Sequence, residues 1–152
     1  MPTAITFLLP LALFSLYDLR YRLAPGIGLF FLGAVLLSAP SDPLRSGAAV
    51  LATAWGLCTA PGILAIPLLL CPSSWVVLFI GYGVRVGVVG RADLLAMGGI
   101  AALYPWPATV LALIGAELWR RWWRARHVGP APALPGMFLG VSVYWVSRLL
   151  VE

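Results

Sequence analysis

Long apolar runs, separated by short polar breaks, occupy almost the whole chain. Of its 152 residues, 62% are hydrophobic and only 10% are charged. Soluble globular domains carry roughly a quarter charged residues, so a surface built from this sequence would not stay dissolved in water. Because lipid is the environment that solvates so much apolar side chain, we expect an integral membrane protein.

The polar breaks divide the chain into candidate helices. The apolar runs cover residues 3–17, 26–39, 47–89, 94–103, 108–119 and 137–151. Several are shorter than the roughly 20 residues that span a bilayer comfortably, but flanking Arg and Trp side chains can supply the missing length. No basic residue precedes the first run, which therefore resembles a retained span more than a secretory signal. The sequence predicts an all-α fold, a polytopic transmembrane helical bundle of about six spans, as a single domain over residues 1–152.

The arginines predict the orientation of the chain. The net charge of +5 comes from ten arginines, no lysine and five acids. Eight of the arginines fall into three clusters, at residues 20–22, 85–91 and 120–126, whereas Arg45 and Arg148 stand apart. Because basic residues collect in cytoplasmic loops, we expect the three clusters in the cytoplasm, and both termini, Arg45 and Arg148 outside. This basic balance then indicates membrane topology, and no nucleic-acid partner is expected.

The segment 47–89 has to cross the bilayer an odd number of times in this scheme. It is apolar throughout but interrupted by Pro61, Pro67 and Pro72. We expect a single crossing plus a proline-broken half-helix.

Two pairs of glycines have the spacing that allows close helix packing. They are Gly83 with Gly87 and Gly136 with Gly140. A glycine at every fourth position lets the backbones of two helices approach each other in a membrane. Whether the chain forms a homo-oligomer is left open by the sequence.

Metal or cofactor chemistry has little support in the composition. His127 is the only histidine, and the spacing of Cys58 and Cys71 fits no zinc pattern. We expect both cysteines to be small apolar packing residues, with no metal and no cofactor.

Acidic side chains at membrane depth are costly and are functional candidates by default. The five acids are Asp18, Asp42, Asp93, Glu117 and Glu152. Asp42 reads as a turn residue in an outside loop, and Glu152 is the last residue. Glu117 shares a helix face with Arg120 and Arg121, which predicts a surface ion pair.

The remaining acids, Asp18 and Asp93, each stand at the cytoplasmic end of an apolar run. Two carboxylates that meet cannot both ionise cheaply, so they would share a proton and titrate as a pair. Such a pair can activate a water as base and protonate a leaving amine as acid, which is peptide hydrolysis without a metal. The alternative is structural: Asp18 pairs with Arg20 or Arg22, and Asp93 is a helix N-terminal acid stabilised by the macrodipole.

The segment that begins at Asp18 resembles the first motif of the prepilin peptidases, polytopic aspartic proteases that process type IV pilin and archaeal flagellin precursors. Their motif is D-x-R-x-R-x-I-P-like, and here Asp18, Arg20, Arg22 and Pro25 match it. Ala24 stands where the family usually has isoleucine.

The segment that ends at Asp93 resembles the second motif of that family, G-x-G-D, which is often G-G-A-D in archaeal members. Gly90, Ala92 and Asp93 match it. The sequence departs from the family at Leu95, where a lysine is usual, and at Gly26, where asparagine is common.

The resemblance implies a function and a location. Asp18 and Asp93 would be the catalytic pair of a multi-pass endopeptidase of the plasma (cytoplasmic) membrane, with its active site facing the cytoplasm. Its partners would be a prepilin-like or preflagellin-like substrate and membrane lipid. Bacterial members often carry a four-cysteine domain linked to N-methylation, and nothing similar is present, so a peptidase without methyltransferase activity is implied.

Two other interpretations stay open. Tyr17-Asp18, Gly90-x-Ala92-Asp93 and Pro132-Ala133-Leu134 resemble, in order, the three motifs of the signal-peptide-peptidase and presenilin type of intramembrane protease. The chain could instead be a non-enzymatic transporter, channel subunit or assembly factor whose acids bind protons or cations.

Overall fold

The computed structural model describes residues 7–21, 26–58 and 60–151, and all regular secondary structure within these ranges is helical. The helices are α1 (Leu8–Tyr21), α2 (Ile27–Ser38), α3 (Pro43–Leu57), a 3-10 helix (Gly62–Leu70), α4 (Pro72–Arg85), α5 (Arg91–Leu103), α6 (Trp106–Arg124) and α7 (Leu134–Val151). The all-α prediction is therefore confirmed for the described part of the chain.

The helices form two compact units. The first unit comprises residues 1–25 and 107–152, and the second comprises residues 26–106.

Helix α3 begins where the sequence predicted a loop. Asp42 is its N-cap, and its carboxylate accepts a hydrogen bond from the backbone N–H of Arg45 at 3.0 Å. Pro43 takes the first helical position, where a missing N–H costs nothing. The Arg45 guanidinium also pairs with Asp42 at 3.4 Å. Asp42 was predicted to lie in a turn of an outside loop, whereas it is the residue that begins α3.

The segment between Pro43 and Arg85 runs along the second unit three times. Gly56 of α3 packs against Gly81 of α4, and the Arg85 guanidinium lies 4.5 Å from the ring centre of Trp55. The C-terminal ends of α3 and α4 are thus together, and the two helices run in the same direction. The 3-10 helix runs back between them, because its end at Leu70 borders a groove beside Pro43.

The single crossing predicted for this region stays a prediction, whereas the predicted proline-broken half-helix differs from the structure. Two α-helices are present, and the proline-containing return is a 3-10 helix with Pro67 inside it. Its nine residues extend about 18 Å at the 3-10 rise of about 2.0 Å per residue, which is enough to lead back toward the start of α3. The segment still ends at the opposite end of the unit from where it began.

Helix α5 runs antiparallel to α3 in the second unit. Gly98 lies against Thr53, and the Arg45 Nε donates a hydrogen bond to the Ala102 carbonyl at 3.1 Å. Gly98 also lies against the ring of Phe31, and Gly99 lies against the ring of Phe30, both from α2. The start of α5 therefore lies beside the C-terminal ends of α3 and α4, and its end lies beside Arg45.

The first unit contains the closest helix packing in the described residues. Gly115 of α6 lies against Gly136 of α7, and Gly140 lies against the backbone of Leu111, so that a β-carbon at any of these glycines would overlap backbone atoms. The pairing of later α6 residues with earlier α7 residues makes the two helices antiparallel. The close approach predicted for Gly136 and Gly140 is confirmed.

The close approach predicted for Gly83 and Gly87 is wrong. Gly87 follows α4 in a turn with φ +77°, and a side chain there would meet nothing within 4 Å. Gly83 packs on the side chain of Val89, which lies four residues after the end of α4 at Arg85, and not on another helix. Gly87 lies in a turn whose left-handed backbone conformation favours glycine over residues with a side chain.

Helices of both units bury small residues and expose large apolar ones, alongside fully buried large side chains such as Leu11, Leu94 and Tyr104. In α3 the buried residues are Ser46, Ala48, Ala49, Ala52, Thr53 and Gly56. On the same helix Leu44 is 78% exposed and Leu51 is 60% exposed. Helices α5 and α6 likewise bury mainly alanine, glycine or threonine. A water-soluble fold rarely leaves large contiguous apolar surfaces uncovered, whereas small residues at helix contacts are typical of packing inside a membrane.

One helix in the described part of the chain, α7, is long and apolar enough to cross a bilayer by length and composition alone. Helix α2 is apolar but has 12 residues, which extend about 18 Å at 1.5 Å per residue. Helix length does not establish the predicted set of about six spans, which stays a prediction.

Candidate functional site

Asp18 lies in the last turn of α1, where it is half-buried. One turn earlier, the buried Ser15 hydroxyl lies 2.7 Å from the Leu11 carbonyl and 3.0 Å from the carbonyl of Leu134, the first residue of α7. Leu11 is fully buried, whereas the residues after Ser15 are exposed or half-buried. Within the first unit, Asp18 is therefore at the same end as the first turn of α7.

The same end of the first unit carries its arginine cluster. Because α6 and α7 are antiparallel, the last turns of α6 lie beside the first turn of α7. Those turns and the following residues hold the cluster, which consists of Arg120, Arg121, Arg124 and Arg126. Arg148, in the last turn of α7, is at the opposite end. Within this unit the structure therefore puts Asp18 with the cluster predicted to be cytoplasmic, and Arg148 away from it.

The last turns of α1 carry two tyrosine rings and Arg20, which contact one another. The rings of Tyr17 and Tyr21 are 4.6 Å apart between centres, and the Arg20 guanidinium lies 5.3 Å from the Tyr21 ring centre. Arg20, one of the two arginines that the structural alternative pairs with Asp18, thus has the Tyr21 ring as a partner. Arg22 and Pro25, which complete the first motif, lie outside the described residues.

Asp93 lies in the first turn of α5, three residues after the N-cap Gly90. Its carboxylate folds back toward Gly90, since a β-carbon at Gly90 would lie 3.6 Å from the Asp93 Oδ2. The extended backbone of Gly90 (φ −74°, ψ 148°) ends the preceding turn, and its lack of a side chain leaves the space beside the carboxylate open. Half-buried Ala92 precedes Asp93, and fully buried Leu94 follows it.

Asp93 also lies at the arginine-rich end of its unit. Leu94 packs against Gly56, near the C-terminal end of α3. Arg85 ends α4 at this end, and the exposed Arg91 begins α5. Arg45 lies at the other end with the Ala102 carbonyl. This arrangement agrees with the arginine scheme, in which Arg85 and Arg91 face one side and Arg45 faces the other.

The two acids therefore occupy equivalent places in two different units. Asp18 belongs to the first unit and Asp93 to the second. Each is half-buried and stands at the end of its unit where the arginines collect. The meeting of the two carboxylates stays a prediction.

The remaining acids have structural roles where they are described. Glu117 accepts a hydrogen bond from the Arg121 Nε at 2.9 Å, so the predicted surface ion pair is confirmed. Asp42 caps α3 as given above, and Glu152 lies outside the described residues.

The cysteines are less buried than expected for apolar packing residues. Cys58 is exposed at the end of α3 and Cys71 is half-buried, so Cys58 does not pack in the unit's interior. Within the described ranges, no three His, Cys, Asp or Glu side chains are grouped in a way that could hold a metal ion.

Sequence reasoning missed the contribution of Ser15, which was counted as part of an apolar run. Pro132-Ala133-Leu134 was named for its resemblance to a third protease motif, but its packing beside Ser15 was not predicted. All four residues are buried. A hydroxyl in the middle of an apolar helix is a signal for a helix–helix contact in a membrane, and that signal would have identified Ser15.

No family model, no curated protein and no solved structure matches this chain. The likeness of the Asp18 and Asp93 segments to prepilin peptidases therefore stays a resemblance.

Proposed function

We propose that this chain is a membrane aspartic endopeptidase that cleaves the leader peptides of type IV prepilin-like or preflagellin precursors at the cytoplasmic membrane face. The observation that carries the proposal is the equivalent placement of Asp18 and Asp93. Each acid stands at the arginine-rich end of its own unit, at the position where the prepilin peptidase motifs have their aspartates.

The pattern of burial supports insertion into a membrane. Leu44 and Leu51 on α3 of the second unit and Leu118 on α6 of the first are exposed, while α3 buries small residues. In water the exposed surface would be a severe aggregation liability. In lipid it is solvated, and the close contacts between glycines supply the packing that holds the helices together.

The proposed six spans are net crossings of the bilayer. Helices α1, α2, α5, α6 and α7 supply five crossings in this proposal. The segment from Pro43 to Arg85 begins at one end of its unit and finishes at the other, so it supplies the sixth. The shorter helices require a locally thin bilayer or flanking arginines and tryptophans that reach the interface. Exposed Trp75 and Trp106 stand near helix ends, where an interfacial belt would put them.

The helix termini favour different roles for the two acids. Asp93 stands in the first turn of α5, where the positive end of the helix dipole stabilises negative charge. Asp18 stands in the last turn of α1, where the negative end of the dipole disfavours a second negative charge. In the proposed pair, one carboxylate removes a proton from water and the other donates a proton to the leaving amine.

A second candidate is an intramembrane protease of the signal-peptide-peptidase type. The third motif of that resemblance, Pro132-Ala133-Leu134, is buried, and the Leu134 carbonyl is bonded to Ser15, one turn before Asp18. This segment is therefore near one of the two acids.

Cleavage by the purified protein tests the proposal. The full chain in an uncharged detergent would be given two peptides with the same apolar helix, one with a basic prepilin-like leader and one with an uncharged leader. Mass spectrometry of the products should show cleavage of the first peptide between leader and apolar helix. Cleavage of both peptides within the apolar helix would favour the second candidate. Cleavage of neither would contradict both and would support the non-enzymatic alternative.

A further inference from the structure

We propose that the groove between α6 and α7 binds one anionic phospholipid, with a hydrocarbon chain in the groove and the phosphate at the arginine cluster. The proposal rests on the membrane insertion proposed above, but it is independent of cleavage. It assigns a ligand to a surface that the peptidase mechanism does not use.

The groove is apolar, with glycines along its floor. Gly115 and Gly140, where the two helices approach most closely, are among the residues that line it. The exposed side chains of Ile114, Leu118 and Val143 form its walls. Its volume of about 480 Å³ is within the roughly 300–1,000 Å³ of sites that hold small-molecule ligands. It offers van der Waals contact to a hydrocarbon and very few hydrogen-bonding groups.

The length of the groove matches a single lipid leaflet. Along α6 it extends from Leu111 to Trp122, eleven residue steps, or about 16 Å at 1.5 Å per residue. The hydrocarbon core of a bilayer is about 30 Å thick, so the groove covers half of it. A substrate helix that crosses the membrane would need a groove about twice as long, whereas one acyl chain reaches from the interface to the midplane.

The charge at one end of the groove selects the headgroup. Trp122 lines that end, and the Arg126 guanidinium lies 4.9 Å from its ring centre. Arg124 is exposed in the last turn of α6, and the exposed Arg121 is partly neutralised by Glu117. Guanidinium groups bind phosphate oxygens through charge-assisted hydrogen bonds, and juxtamembrane basic clusters attract anionic lipids.

Native mass spectrometry of the full chain tests the lipid site. The protein in uncharged detergent would be mixed with equal amounts of phosphatidylglycerol and phosphatidylcholine with the same acyl chains. We expect one phosphatidylglycerol to be retained in preference to phosphatidylcholine. Arg124→Gln with Arg126→Gln should weaken this retention about fivefold for each charge removed. The matched control Arg148→Gln, which removes a charge at the opposite end of α7, should leave retention unchanged.

A variant of the groove wall tests the site without changing any arginine, in case the arginine variants are unstable. Val143→Trp fills the groove from an exposed wall position and should reduce the retention of both lipids. Equal retention of the two lipids by the wild-type chain would overturn the proposal. So would displacement of phosphatidylglycerol by a basic-leader peptide, because the groove would then belong to a substrate. Lipid retention is measured without cleavage, so failure of the peptidase assay does not alter this result.

Discussion

The Ser15 hydroxyl and the Leu134 carbonyl oxygen are 3.0 Å apart and form a hydrogen bond that joins α1 to the first residue of α7. Both residues are buried. Asp18 follows Ser15 by three residues, so this contact fixes the height and rotation of the turn that carries the acid. In a low-dielectric interior a hydrogen bond between helices is also a specific constraint on their register.

Ser15→Ala should therefore reduce both stability and cleavage. Loss of one interhelical hydrogen bond in a membrane is worth about 0.5–2 kcal/mol, and a displaced Asp18 should lower kcat more than it raises KM. The matched control is Ser147→Ala, since the exposed Ser147 hydroxyl bonds only to the Tyr144 carbonyl of its own helix among the contacts described for it. Thermal melts in detergent and steady-state cleavage rates measure the two effects. Equal behaviour of the two alanine variants would mean that the Ser15 contact does not position α1.

The α6–α7 contact gives a second prediction. Gly140→Leu should destabilise the first unit, because any β-carbon at Gly140 overlaps the backbone of Leu111. Overpacking of this kind costs about 1–3 kcal/mol or more. Gly28→Leu is the control, since a side chain at Gly28 would meet nothing within 4 Å. The melting temperature in detergent should fall for the first variant only, and an unchanged melting temperature for Gly140→Leu would show that the two helices are not in contact.

The positions of helices could be predicted where polar residues interrupt the apolar pattern. The end of α1 near Tyr21, the start of α5 at Arg91 and the start of α7 close to residue 137 all follow such breaks. The start of α3 was missed because Asp42-Pro43 was interpreted as a turn. A cap residue followed by proline also signals the first turn of a helix, and the sequence offered no local way to choose between the two.

The path of the chain between Pro43 and Arg85 could not be predicted for a physical reason. A segment that is apolar on every face has no periodicity to separate helix from return path. Pro61, Pro67 and Pro72 mark interruptions, but proline is compatible with the start of an α-helix and with a 3-10 helix alike. The direction of α4 depends on the contact of Gly56 with Gly81, which no local pattern encodes.

The candidate acids could be identified from sequence, but their supporting contacts could not. Asp18 and Asp93 stood out as the acids at the ends of apolar runs. The bond from Ser15 to Leu134 joins residues 119 positions apart, and only the fold brings them together. Gly115 likewise had no partner glycine at a recognisable spacing, yet it packs against Gly136.

The side of the membrane gives a third prediction. In a background with Cys58→Ser and Cys71→Ser, single cysteines at positions 21 and 92 should react with an impermeant reagent from the cytoplasmic side, and a cysteine at position 44 from outside. Positions 44 and 92 lie at opposite ends of the second unit, so they provide an internal calibration. Labelling of positions 21 and 92 from opposite sides would mean that Asp18 and Asp93 cannot meet.

The central claim is that Asp18 and Asp93 act as one catalytic pair, and the cleavage rates of three variants test it most directly. The cleavage of the basic-leader peptide by Asp18→Asn, by Asp93→Asn and by the double variant would be compared with cleavage by the wild type. The controls are Asp42→Asn, at an acid that caps a helix, and Glu117→Gln, at an acid that forms a surface ion pair. Residues that act as a unit are non-additive, so each single variant should lose cleavage entirely and the double variant should be no worse, while both controls retain most of their activity. Substantial cleavage by either single variant, with wild-type expression and melting temperature, would contradict the account.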